Sequence, residues 1–259
     1  MDEYCVVLSE PAKAPWPVFA AVLVDAGAMS RTDANQAARQ CRGILAERLS
    51  RDAAEAVAGN LQRGGFGYAI LRQESIPRMP IPCVPKVVRI DAEAIKLELI
   101  ADNPGHRIPW FAIKVIVGGR VRRVEFLKRL SQPFQMPDPE GDPGSDLNWQ
   151  REVERKTERL TPSIEFLAEV EDEHAPSIAR VRIEPRGLRC PDAVDDADGE
   201  SGESAFLFVL RELLKRADEA DVSPKVKGAI APDAIPIDAE DVEAEARFRW
   251  ALRESTINW

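Results

Sequence analysis

The stretch SRDAAEAVAGNLQRGGFGYAIL, residues 50–71, decides how this chain begins to fold. Ala54, Val57, Ala58 and Leu61 recur at the spacing of one helical face. Ser50 stands at the N-cap position, where its hydroxyl can accept from a backbone N–H of the first turn that has no intrahelical partner. Gly64 and Gly65 follow the last apolar position and supply a left-handed stop. Phe66 to Arg72 is then aromatic and aliphatic, which reads as a strand. A helix running straight into a strand calls for a sheet on which the helix can pack.

Toward the N-terminus, Tyr4 to Leu8 (YCVVL) is a short apolar run and reads as a strand. Pro15 and Pro17 open an apolar helix over Trp16–Ala28, since proline is tolerated in a first turn. Ser30 or Thr32 caps a second helix carrying Ala34, Ala37, Ala38 and Cys41 on one stripe. Gly43 stops it, and Ile44 to Leu49 reads as a strand. Residues 1–75 therefore have the order β-α-α-β-α-β. With the quoted stretch at its end, this unit resembles the C-terminal domain of the bacterial ribosomal stalk protein. In that family the first two helices offer lysines and aliphatic side chains to translation GTPases. Here WPVFAAVLVDAGAMSRTDANQAARQC, residues 16–41, contains no lysine, so that activity is not carried over.

Toward the C-terminus, IPRMPIPCVP (Ile76 to Pro85) holds four prolines in ten residues. Each residue before a proline is biased to extended geometry, so 76–86 reads as a stiff linker. The pattern beyond it is strand-like. Val87–Ile90 and Ile95–Ile100 flank a turn at Asp91–Ala94. Ile108–Val117 and Arg120–Leu127 flank a turn expected at Gly118-Gly119, and His106 falls in a turn after Asn103. Gln132 to Asp146 and Asp192 to Glu203 are acidic loops. Strands return at Ser163–Val170 and Ile178–Glu184. Two helices close the chain, Ser204–Ala217 with Phe206, Val209, Leu210 and Leu213 on one stripe, and Ala239–Glu254.

The fold class expected is α+β: the small N-terminal unit, then an antiparallel β-rich domain over 87–259. Six or so antiparallel strands closed by a helix resemble a pleckstrin-homology-like barrel, with 104–160 supplying its long connections. The segments Pro109-Trp110-x-x-Ile113 and RFRWAL (Arg247 to Leu252) resemble uncharacterised bacterial proteins that join such an N-terminal unit to a β-region. That resemblance implies no known activity.

Composition narrows the function classes. The chain has 259 residues, is 44% hydrophobic and 31% charged, and carries a net charge of −9. These values suit a packed core and exclude a wholly disordered chain. The longest uncharged apolar run, Ala14–Val24, is too short to span a bilayer, which needs about 20 residues. Asp2 and Glu3 stand where an export signal would want basic residues. Cys5, Cys41, Cys83 and Cys190 form no CxxC pair and read as reduced thiols. Together these features point to the cytoplasm. The charge is polarised: residues 77–135 carry +6 and residues 136–259 carry −14, so the two regions either neutralise one another or face different partners.

Motifs for catalysis are missing: no GxSxG, no HExxH and no Walker-type GK[ST] loop. His106 and His174 both fall in expected turns, and the acidic run Val194–Gly199 lacks the ligands of a calcium loop at its first and twelfth positions. The expectation is therefore no enzyme, no cofactor and no metal site. Two binding candidates remain. Arg120, Arg122, Arg123, Lys128 and Arg129 can meet phosphate or carboxylate, because arginine forks pair bidentately with both; the alternative is that they pair with the acidic C-terminal third. Trp16, Phe19 and Leu23 line one face of the first helix and can meet a protein partner; Val18 and Val22 make the other face apolar too, which favours burial on both sides. Nucleic acid is disfavoured by a pI near 5.0 and by the lack of aromatics interleaved with the basic run. The leading expectation is a non-enzymatic interaction or regulatory protein with a protein partner. The runner-up is a binder of a phosphate-bearing or anionic lipid head group through 120–129.

Overall fold

The computed structural model describes residues 2–9, 14–98, 106–130, 152–171, 176–193, 202–229, 231 and 234–254. Its N-terminal elements are β1 (Tyr4–Leu8), α1 (Trp16–Asp25), α2 (Arg31–Gln40), β2 (Ile44–Leu49), α3 (Arg51–Arg63) and β3 (Tyr68–Arg72). They run in the expected order. The Ser30 and Ser50 hydroxyls accept from the backbone N–H of Asp33 and Ala53, each at 3.2 Å, and so start α2 and α3. Gly65 takes φ +72° just beyond α3. The sheet is antiparallel in the order β2-β1-β3. On one face Val6 and Leu8 pack with Phe19, Leu23, Val57 and Leu61 of the helices.

The rest comprises β4 (Val87–Ile90), β5 (Ala94–Glu98), β6 (His106–Pro109), β7 (Ile113–Leu130), β8 (Glu152–Glu171), β9 (Pro176–Ile183), α4 (Gly202–Arg216), β10 (Asp221–Val222), β11 (Ile237–Asp238) and α5 (Ala239–Glu254). Strands β4-β5-β6 form an antiparallel meander. Strands β10-β7-β8-β9 form a second sheet, with β11 also pairing β7. The fold is α+β. Among the described residues this region forms two open sheets and no sheet closes on itself, so the α+β class holds without the barrel detail.

Gly118-Gly119 makes no turn. Strand β7 passes straight through it, pairing with β8 from Ile113↔Ala168 to Leu130↔Glu152. A Cβ at Gly118 would collide with the carbonyl of Ser163 and the backbone of Ile164. This glycine therefore allows a close approach of backbones within a ladder, a role it shares with many strand glycines. Within 104–160, the described residues 106–130 and 152–160 lie mostly in paired strands, and His106 lies on β6 rather than in a turn. The expected loops at 132–146 and most of 192–203, with His174, lie outside the described residues.

The long sheet is apolar on both faces. Ile113, Ile116, Ile164, Phe166 and Ile183 pack with Phe206, Val209 and Leu213 of α4 and with Ile95, Leu97 and Ile108 of the meander. Val115, Val117, Val121 and Leu167 on the other face meet Val242, Ala246 and Trp250 of α5. The same α5 reaches the N-terminal sheet, where Phe248 and Ala251 pack on Cys5, Val7 and Ile76. Two ion pairs flank that contact. The Arg247 fork holds both carboxylate oxygens of Glu47 at 2.5 and 2.9 Å, and Arg42 meets Asp241 at 2.6 Å.

Gly43 takes φ +123°, and a Cβ there would strike the Phe248 ring. Phe248→Ala is expected to cost about 3 kcal/mol, the usual loss for a buried phenylalanine. Gly43→Ala is expected to destabilise wild type more than it destabilises the Phe248→Ala background, since part of its cost is the collision with that ring. Urea unfolding of the four proteins tests this; effects that add to within about 0.5 kcal/mol would refute the contact.

Candidate functional site

Two of the described basic residues of 120–129 meet acids of the same chain, one of them at the surface. Strand β11 runs parallel to β7 with Asp238 opposite Arg122, and Arg122 Nη1 lies 3.9 Å from Asp238 Oδ1. Arg123 forms an ion pair with Glu184. Arg120 is half-buried and is itself engaged. Lys128 and Arg129 occupy backbone positions opposite Glu154 and Val153, and their side chains lie outside the described residues. So two of the five bases meet acids from the C-terminal third.

Of the first-helix trio, only Trp16 reaches the surface. Phe19 and Leu23 are 2% and 0% exposed and belong to the N-terminal core. Trp16 lies under the guanidinium of Arg39, 4.3 Å from the ring centroid, and so helps to fasten α1 to α2. The face of α1 left open is the opposite one. Pro17, Val18 and Ala21 are exposed there, and with Phe66 they line an open groove of about 770 Å³ between α1 and the end of α3. Asp25 and Arg63 are among its polar residues. Asn60 Nδ2 donates to the Val22 carbonyl at 3.1 Å and closes the base of the helix pair. Sequence reasoning noticed Val18 but assigned it to a core, because a helix apolar all round is usually covered on every side.

A third assembly was not foreseen. Glu165 on β8 is 2% exposed and accepts from Arg180 Nε at 2.7 Å and Arg182 Nε at 2.5 Å, both on β9. Arg180 also donates to Glu243 of α5 at 2.8 Å and to the Pro80 carbonyl at 3.4 Å. Burial opposes the Arg180 charge, but Glu165 and Glu243 outweigh it and raise the pKa. The β8–β9 register puts 165, 180 and 182 on one sheet face, which turns inward toward α5.

Nucleophilic chemistry finds little support in the thiols. Burial pushes Cys5 up to about 12 and raises Cys41, Cys83 and Cys190 as well, and a protonated thiol is a poor nucleophile. Among the described residues no group of three His, Cys, Asp or Glu side chains is arranged to hold a metal ion, and no helix is long and apolar enough to cross a membrane. Comparison with known protein families, with curated proteins and with solved structures finds no match.

The acids at the α5 contacts give stability a pH dependence. For Glu47, burial alone would raise the pKa, but hydrogen bonds from Arg247 and Gln73 hold it below the ordinary value. Glu245 behaves likewise: burial opposes its charge, and Ser223 and Lys225 outweigh it. A carboxyl with a depressed folded pKa stabilises the fold above its unfolded value, about 4.3, and the gain fades as pH falls through the folded value. Glu47→Gln should therefore lower the melting temperature at pH 7, with the gap to wild type closing only as pH falls below the ordinary carboxylate range. A gap that stays constant with pH would refute the pairing. Arg180→Met, which strips Glu165 of one of its two arginines, should cost on the order of 3–5 kcal/mol in urea unfolding; a loss under about 1 kcal/mol would mean that Glu165 does not need Arg180.

Proposed function

We propose that this protein is a non-enzymatic interaction protein, an adaptor that receives an amphipathic helix of a protein partner in the groove between α1 and α3. The observation that carries this is the outward apolar face of α1, Pro17, Val18 and Ala21, next to Phe66. Grooves of this kind accept the apolar stripe of a helix, anchored at i, i+3, i+4 and i+7. Asp25 and Arg63 offer one charge of each sign, so a partner helix with complementary flanking charges is favoured over a uniformly anionic or cationic one. The other reading, an anionic head-group binder using 120–129, is weakened because Arg122 and Arg123 already meet Asp238 and Glu184. An anion would have to displace those carboxylates. A cytoplasmic setting suits the protonated thiols and the absence of any CxxC pair.

The test compares wild type, Val18→Glu/Ala21→Glu and Arg122→Ser/Arg123→Ser in affinity purification from the native cell, with binding to phosphatidylglycerol vesicles measured in parallel. The reading expects partners lost from the α1 variant and kept by the arginine variant, at unchanged melting temperature for the α1 variant. Retention of every partner by the α1 variant, or vesicle binding by wild type that the arginine variant loses, would overturn it.

A further inference from the structure

The proline-rich segment 76–85 is held against the protein at many points yet turns one regular face to solvent. Pro77, Pro80, Pro82 and Pro85 have φ fixed near −65°. Ile76, Met79, Ile81 and Val84 each precede a proline and are driven to extended geometry. Cys83 is extended by its parallel bridge to Val181, donating to the Arg180 carbonyl and accepting from Arg182 N–H, both at 2.8 Å. Further anchors come from Arg247 to the Pro77 carbonyl at 3.4 Å and from Arg180 to the Pro80 carbonyl. Ile76 and Pro85 are buried, and Met79 packs beside the α5 contact.

Exposure along the segment has a period of three. Arg78, Ile81 and Val84 are exposed, Ile81 by 93% and Val84 by 39%. Residues 76, 79, 82 and 85 are buried or half-buried, as are 77, 80 and 83. Three residues per turn is the repeat of a polyproline II helix, and six residues of it cover about 19 Å. Among the described residues Arg78 has no carboxylate within ion-pair distance. A β-branched side chain held almost fully in water, on a backbone already immobilised, loses little further entropy on binding.

We infer that 76–85 is a second docking element, a preformed polyproline II ligand whose Arg78–Ile81–Val84 edge enters an apolar groove with a carboxylate at one end on another protein. Recognition of such segments exploits their low ordering cost. It stands apart from the α1 groove and does not depend on it.

A photo-crosslinking amino acid placed at 81 in the full chain, with the same residue at the equally exposed Ile235 as control, tests this in the native cell. Expected is a discrete protein adduct at 81, at least tenfold above the control, lost on Arg78→Glu and kept on Val18→Glu. A synthetic peptide of residues 76–86 should compete it away, and the same peptide with Ile81→Ser should not. Arg78→Glu and Ile81→Ser should leave the melting temperature within about 2 °C, since both sites are exposed. Signal at 81 no stronger than at 235, an adduct to lipid, or a protein adduct indifferent to Arg78→Glu would overturn the inference. Loss of the adduct on Val18→Glu would overturn its independence from the α1 groove.

Discussion

Strand β1 is apolar on both faces, and covering its second face organises the whole chain. Val6 and Leu8 are met by α1, α2 and α3, which follow closely in sequence. Cys5 and Val7 point the other way and have no local cover. Their cover is Phe248 and Ala251, from the far end of the chain. Helix α5 can serve there only because Val242, Ala246 and Trp250 satisfy the long sheet at the same time. One helix thus closes two cores. Gly43 is required where β2 begins because the Phe248 ring fills the space a side chain would take.

Charged groups set where that double contact forms. Replacing a buried ion pair by well-packed apolar residues is often neutral or stabilising, whereas removing one partner is costly. Glu165, Arg180, Arg182 and Glu243 therefore matter as a register device more than as a source of net stability. Arg180 fits only if β9, the Pro80 carbonyl and α5 arrive together. Arg247 does the same between Glu47 of the N-terminal sheet and the Pro77 carbonyl.

Local features were legible in the sequence and remote pairings were not. The caps Ser30 and Ser50, the Gly65 stop and the stripes of α3 and α4 are short-range signals, and they lie where the periodicity puts them. YCVVL read as a strand, and its lack of polar–apolar alternation agrees with the cover on both faces seen in the fold; the identity of the second cover could not be read from it. Gly118-Gly119 misled because the dipeptide serves equally in a turn and in a tight ladder, and only the neighbour, Ser163, distinguishes the two. Strands β10 and β11 have two residues each and carry no period to detect. For the site, the basic run was visible, but its acids, Asp238 and Glu184, lie more than sixty residues away in sequence.

The division of labour that results bears on recognition. Most of the chain's arginines near α5 are spent internally: Arg42 on Asp241, Arg247 on Glu47, Arg249 on Asp221 and Glu245, Arg180 on Glu165 and Glu243. An arginine already held by a carboxylate of its own chain must give that pair up to meet a partner's charge, so a partner gains little by competing for it. Binding energy in protein interfaces comes chiefly from a few well-packed anchors at the centre of the contact. Among the described residues, the outward apolar side chains on rigid supports include Val18 and Ala21 on α1 and Ile81 on the fastened proline segment, beside Leu207 and Leu214 on α4. If the proposed interaction role holds, a molecule that uses its charge to hold its own parts in register, and leaves apolar side chains on immobilised backbone outside, would be recognised by shape more than by field.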